Sequence, residues 1–152
     1  MATARLARAL VPDLRSGDTL LLEGPVGAGK TSFARHLIGA ILAADGLPPE
    51  DVPSPTFTLV QTYVARRFEI WHADLYRLGD PGEVAELGLT EAFDTALCLV
   101  EWPERIGADR PTGAANLRFD GAGRDGRRLT ITGPPDLMTR LTRHAATAAP
   151  RR

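Results

Sequence analysis

Gly24-Pro25-Val26-Gly27-Ala28-Gly29-Lys30-Thr31 has the spacing G-x-x-x-x-G-K-[ST]. Each residue type has a physical reason to stand where it does. Glycines let the backbone curl so that successive N–H groups point inward at phosphate oxygens. A helix starting at the end of the loop adds its positive N-terminal end. Lys30 is placed to reach the β and γ phosphates, and the Thr31 hydroxyl to ligate Mg²⁺. With this composition the pattern arises by chance in about 1 of 1,000 chains of this length.

The flanks agree with the loop. Thr19–Glu23 (TLLLE) is a short apolar run ending in Gly24, which reads as a buried strand. From Lys30 to about Ala44, Phe33, Leu37, Ile38, Ile41 and Leu42 share one helical face. Asp45-Gly46 and Pro48-Pro49 end that helix, and residues 47–56 read as a loop. Thr58–Val64 and Phe68–Ala73 alternate around Ala65-Arg66-Arg67, as a hairpin does. A helix is expected from Asp80-Pro81-Gly82 to about Phe93, with Val84, Leu87 and Phe93 inward. Ala96–Glu101 (ALCLVE) reads as a second buried strand. Asn116–Asp120 and Arg127–Thr132 read as strands at a sheet edge, and Pro135 to about Ala146 as a closing helix. The mixture predicts an α/β fold, a P-loop NTPase-like three-layer sandwich around a mixed sheet. One domain is expected over residues 1–146, with 147–152 as a frayed tail.

Bulk properties narrow the class. The chain has 152 residues, 43% hydrophobic and 24% charged, enough for one sizeable core. A net charge of −1 provides no overall basic field for nucleic acid. Cys98 is the only cysteine, which fits a reducing, cytoplasmic setting and excludes an internal disulfide. No apolar run reaches the roughly 18 residues of a membrane span. Residues 1–18 read as an amphipathic helix bearing Leu6, Ala7, Leu10 and Leu14, the alternative being an arginine-rich targeting peptide. Of 18 basic residues, Lys30 is the single lysine, leaving 17 arginines. A lysine kept under such replacement marks a site that needs a compact ammonium on a flexible stem. With no other lysine, the Asn-Lys-x-Asp loop common in guanine-selective proteins is absent, so adenine is the default base.

A P-loop site needs an acid at the end of a neighbouring strand, acting on Mg²⁺ directly or through water. Glu101 ends the ALCLVE run, and Asp74 follows the Phe68–Ala73 strand; a surface acid is the alternative for Glu101, a cap before Leu75 that for Asp74. The loop 52–58 carries hydroxyls at Ser54, Thr56 and Thr58 between prolines. It reads either as a γ-phosphate-sensing switch or as a stiff connection. His72 reads as a structural or surface histidine, and Cys98 as plain core. Arg124, Arg127 and Arg128 form a small basic patch, either a solvated face or a local RNA or partner contact.

GPVGAGKTSFAR (24–35), SPTFTLVQTY (54–63), HADLYRL (72–78), ELGLTEAF (86–93) and CLVEWPERI (98–106), in this order, resemble one family over about Thr3 to Gly107. That family is TsaE, the small bacterial ATPase of tRNA threonylcarbamoyladenosine synthesis. The resemblance implies ATP and Mg²⁺ as ligands, with Gly24 through Ser32 forming the nucleotide loop. It implies Thr31 and Glu101 as metal ligands, Asp74 as an acid needed for hydrolysis, and Lys30 as part of the catalytic set. Trp102 matches the tryptophan beside the metal-binding acid, Ser54, Pro55 and Thr56 match the switch-like loop, and Thr3 falls near the base. It further implies TsaD- and TsaB-like partners, with tRNA contact indirect or weak. Family members carry a short strand before the first helix, and this chain is expected to begin after it. Two other readings stay open: a small-molecule kinase, which needs an arginine-bearing lid, and an ATP-sensing switch without turnover. Low activity in isolation is expected, because no arginine finger stands out.

Overall fold

A computed structural model describes residues 2–123 and 126–143. Its organising strand is β1 (Thr19–Glu23), whose residues 19–22 are all buried. A strand buried on both faces reads as a continuous apolar run, which is why TLLLE does not alternate. β1 lies between β4 (Leu97–Glu101) and β5 (Ala115–Gly123), parallel to both. β3 (Glu69–Asp74) continues the parallel set beyond β4. β2 (Val60–Val64) and β6 (Gly126–Thr132) close the two edges as antiparallel strands. The order is β2-β3-β4-β1-β5-β6, a mixed sheet, as expected.

Side-chain alternation sorts the core into two layers. Leu20, Leu22, Ile70, Leu97 and Leu99 face α1 (Ala2–Leu10), α2 (Lys30–Ala44) and α5 (Pro135–Leu141). Leu21, Ala73, Cys98 and Val100 face α3 (Glu83–Glu86) and α4 (Leu89–Thr95). The fold is therefore a three-layer α/β sandwich. The same alternation decides the polar row. The face that carries Ile70 and Leu99 carries His72, Asp74 and Glu101 next, and Asp74 stands opposite Glu101 in the β3–β4 register. These residues reach the carboxyl ends of the parallel strands, on the α2 side, where open α/β sheets bind their ligands.

Gly24 makes the sharp exit from β1. Its φ is +141°, and a Cβ there would stand 2.3 Å from the Phe119 carbonyl oxygen on β5. Gly27 also has a positive φ, +81°, but open space around it. Gly24→Ala is therefore expected to destabilise the fold by about 2–4 kcal/mol, and Gly27→Ala by about 1–2 kcal/mol. Urea unfolding of the two variants measures this; equal midpoints would remove the argument from the Phe119 contact.

Several sequence expectations need correction. The helix expected from residue 80 to Phe93 is two short helices, α3 and α4. Gly88 between them has a φ of +86°, and a Cβ there would meet the Trp71 ring at 3.1 Å. Leu87, at that break, is half-buried and packs inward against the core, as expected. The strand expected from Thr58 begins at Val60, because residues 56–58 turn and Leu59 takes a φ of +68°. β3 is shifted by one residue, so Asp74 ends the strand itself. β5 lies inside the sheet against β1, and of this pair β6 alone is an edge. α5 stops at Leu141, with Thr142 and Arg143 in a turn. The tail 147–152, Arg124 and the side chain of Arg127 lie outside the described residues.

Candidate nucleotide site

The loop between β1 and α2 closes with Ala28 N–H donating to the Pro25 carbonyl at 3.1 Å. Gly29, at a φ of +108°, then launches α2, and no side chain caps that helix. The first-turn N–H groups are thus left for an outside acceptor. Lys30 is buried, 4% exposed, though it carries an ammonium. Its Nζ donates to the Gly24 carbonyl and stands 3.4 Å from the centre of the Trp102 ring. Burial pulls its pKa below the ordinary lysine value, and the charges of Glu101, Glu104 and Asp74 oppose that. An ammonium so placed, in a partly desolvated pocket, gains when an anion arrives.

Thr31 Oγ1 donates to Glu101 Oε1 at 2.6 Å, joining the start of α2 to the end of β4. Glu101 is 2% exposed, and its other oxygen lies 2.7 Å from His72 Nε2. A second carboxylate stands nearby in register. Asp74 Oδ2 accepts from Thr56 Oγ1 at 3.3 Å, and Thr56 shares a 2.7 Å hydrogen bond with Ser54. Asp74 Oδ1 accepts the Tyr76 N–H at 3.0 Å, a local turn contact of the capping kind. The loop 54–58 is thus tied by side chains to the end of β3, and Leu59 N–H donates to the Pro55 carbonyl at 2.7 Å.

Trp102 follows Glu101 with a φ of +60°, an uncommon conformation for a bulky residue. The turn holds its indole against Lys30 on one side and against Tyr76, with ring centres 4.9 Å apart, on the other. Backbone strain of this sort gathers at sites that need a fixed side chain. Of the remaining expected positions, Pro25, Val26 and Ser32 are exposed, Ala28 is buried, and Gly24 and Gly29 are half-buried. Thr3 lies in the first turn of α1, half-buried. A cleft of about 350 Å³ borders Gly24, Pro25, Trp102 and Phe119, but Glu23, Glu104 and Asp120 also line it, with Arg118. Three carboxylates against one guanidinium make it a poor seat for phosphates.

The donor chemistry suits magnesium. Thr31 and Glu101 bring two hard oxygens within 2.6 Å of each other, and Mg²⁺ takes few protein ligands because phosphates and waters complete its octahedron. Among the described residues no group of three or more His, Cys, Asp or Glu could hold a metal, which argues against a self-contained metal cage. Cys98 is plain core: burial pushes its thiol up to about 12, so it is inert.

His72 is the residue that the sequence reading undervalued. It is fully buried and bonded to Glu101, not on the surface. The signal was available: period two along β3 puts His72 on the face of Asp74. What the sequence lacked was the neighbour, since only the β3–β4 pairing brings Glu101 to it.

Comparison with known proteins points one way. Residues 1–129 match the family model described as "Threonylcarbamoyl adenosine biosynthesis protein TsaE". A protein of Rickettsia conorii named "tRNA threonylcarbamoyladenosine biosynthesis protein TsaE" is 45% identical over 104 residues, which is 68% of this chain and 57% of the relative. The chain thus spans little over half the length of that relative. A Bacillus subtilis protein of the same name is 35% identical over 148 residues, 93% of this chain and 89% of that one. The crystal structure of Bacillus subtilis YdiB superposes with a TM-score of 0.68 at 31% identity, covering 94% of this chain and 86% of that one.

Proposed function

The chain belongs to the TsaE family of tRNA threonylcarbamoyladenosine biosynthesis proteins, and from that premise we propose that it binds and hydrolyses Mg-ATP in support of that modification. The observation that carries the proposal is the 2.6 Å contact between Thr31 and Glu101 beside an uncapped helix N-terminus. Backbone N–H groups of the loop take the phosphates, and Lys30 leaves Gly24 for the β and γ oxygens. Thr31 and Glu101 would hold the metal. That metal, when bound, neutralises charge building up on the phosphoryl oxygens. Asp74 stands one strand over, in reach of a water that the 54–58 loop helps to order. Trp102 holds Lys30 and the nucleotide side of the loop.

The partners on this reading are TsaD- and TsaB-like proteins in the cytoplasm, with tRNA touched indirectly or weakly. Hydrolysis would drive that complex between turnovers. The arginines favour this over phosphorylation of a small molecule. Arg66 is spent on Asp45, through its own N–H and its guanidinium, and Arg67 donates to the Val11 and Leu14 carbonyls. They staple the β2–β3 hairpin to the helical layer, and the third lid candidate, Arg77, stacks over Phe57 with its guanidinium carbon 4.8 Å from the ring centre. Among the described residues no helix is long and apolar enough to cross a membrane.

The test is the product. Purified protein with Mg-ATP is expected to release free phosphate slowly, and faster once a TsaD–TsaB-type pair is added. Phosphate transferred to a metabolite would favour a kinase, and hydrolysis that stays very slow and unstimulated by any partner would favour an ATP-sensing switch.

A further inference from the structure

Glu101 is held at both carboxylate oxygens. Oε1 accepts from Thr31, and Oε2 lies 2.7 Å from His72 Nε2. The terminal torsion of a glutamate is broad, so one anchored oxygen leaves the group free to swing. Two anchors fix its plane. The anchors are not equivalent, however. A cation taken up by Thr31 and Glu101 competes with the hydrogen bond between them, whereas the contact at Oε2 does not compete.

The imidazole is itself fixed. His72 is fully buried, in register with Leu99, and faces the layer of α2 with Ile70. Its Nδ1 is buried with no hydrogen-bond partner among the described residues. A proton there would be a buried donor without an acceptor, while the carboxylate oxygen requires a donor at Nε2. The surroundings therefore select the tautomer with hydrogen on Nε2.

We propose that His72 is a positioning residue for the metal: it donates from Nε2 to Glu101 Oε2 and so keeps Oε1 turned toward Thr31. The role rests on the Mg-nucleotide reading above. A ligating carboxylate so tethered binds its cation with its orientation already set, and loss of such an outer partner typically costs 10–100-fold in metal affinity.

Manganese, followed by its paramagnetic resonance in the presence of saturating ADP, is the probe. His72→Leu is expected to weaken Mn²⁺ binding about 10–100-fold. ADP affinity in EDTA should stay within about twofold of wild type, because His72 touches the carboxylate and not the phosphate loop. His72→Gln, whose amide N–H can reach Oε2, should recover part of the loss, and the shorter His72→Asn should not. Wild-type Mn²⁺ affinity in His72→Leu would overturn the role. Should His72→Leu fail to fold, the other pair decides: Gln binding Mn²⁺ more tightly than Asn supports the role, and equal affinities overturn it. A wild-type ADP complex that takes up no Mn²⁺ would defeat the Mg-nucleotide reading first, and this role with it. Metal uptake in wild type with no response to His72 defeats the role alone.

Discussion

Lys30→Ala is expected to weaken ATP binding by about 2–5 kcal/mol, on the order of 30-fold to several thousandfold, and to abolish productive turnover. The ammonium sits at the start of α2 in a partly desolvated site, 4% exposed, with the Gly24 carbonyl and the Trp102 ring as its only close partners among the described contacts. Burial lowers its pKa, so in the free protein the charge is held against a desolvation cost. A bound triphosphate would relieve that cost and gain a charge-assisted contact at once. Lys30→Arg should not restore binding, because a planar guanidinium is too broad for a pocket closed by an indole. Calorimetric titration of both variants checks this, with a thermal melt as control for folding. Binding within threefold of wild type by Lys30→Ala would remove the ammonium from the account.

Glu101→Ala is expected to strike at metal dependence. A metal that neutralises phosphoryl charge is worth several kcal/mol to the transition state, so hydrolysis should fall about a hundredfold or more. ATP affinity measured in EDTA should change far less. The alanine variant also leaves the half-buried Thr31 hydroxyl and the buried His72 Nε2 without their acceptor, which should cost about 1–3 kcal/mol of stability. Glu101→Gln separates the effects. It keeps the shape and one acceptor and removes the charge, so stability should largely return while Mg²⁺-dependent hydrolysis should not. Normal hydrolysis by Glu101→Gln would contradict the metal assignment.

Much of this was legible locally. The loop, the buried run before it and the amphipathic helix after it are each written within a dozen residues. β1 and α2 therefore stand where Thr19–Glu23 and Lys30–Ala44 predicted them. Glu101 was legible as the last residue of an apolar strand. What failed depended on distance. The Gly88 break needs the Trp71 ring, seventeen positions earlier in the chain, to make a side chain costly there. β5 looked like an edge because its hairpin partner β6 follows it directly, while its parallel partner β1 lies far upstream. The Arg140 guanidinium clasps Asp18 at 2.6 and 2.8 Å, tying α5 to the entry of β1, and no local pattern announces such a pair. For His72 the structural half of the reading holds and the surface half does not; its bond was illegible because the carboxylate it meets lies on the next strand.

The central claim is that main-chain amides, Lys30, Thr31 and Glu101 together bind a magnesium triphosphate. Isothermal titration of the wild-type protein with a non-hydrolysable ATP analogue tests it most directly, once with Mg²⁺ and once with EDTA. Saturable binding at one site per chain is predicted, at least about tenfold weaker in EDTA. No binding heat at millimolar analogue, or an affinity indifferent to the metal, would contradict it.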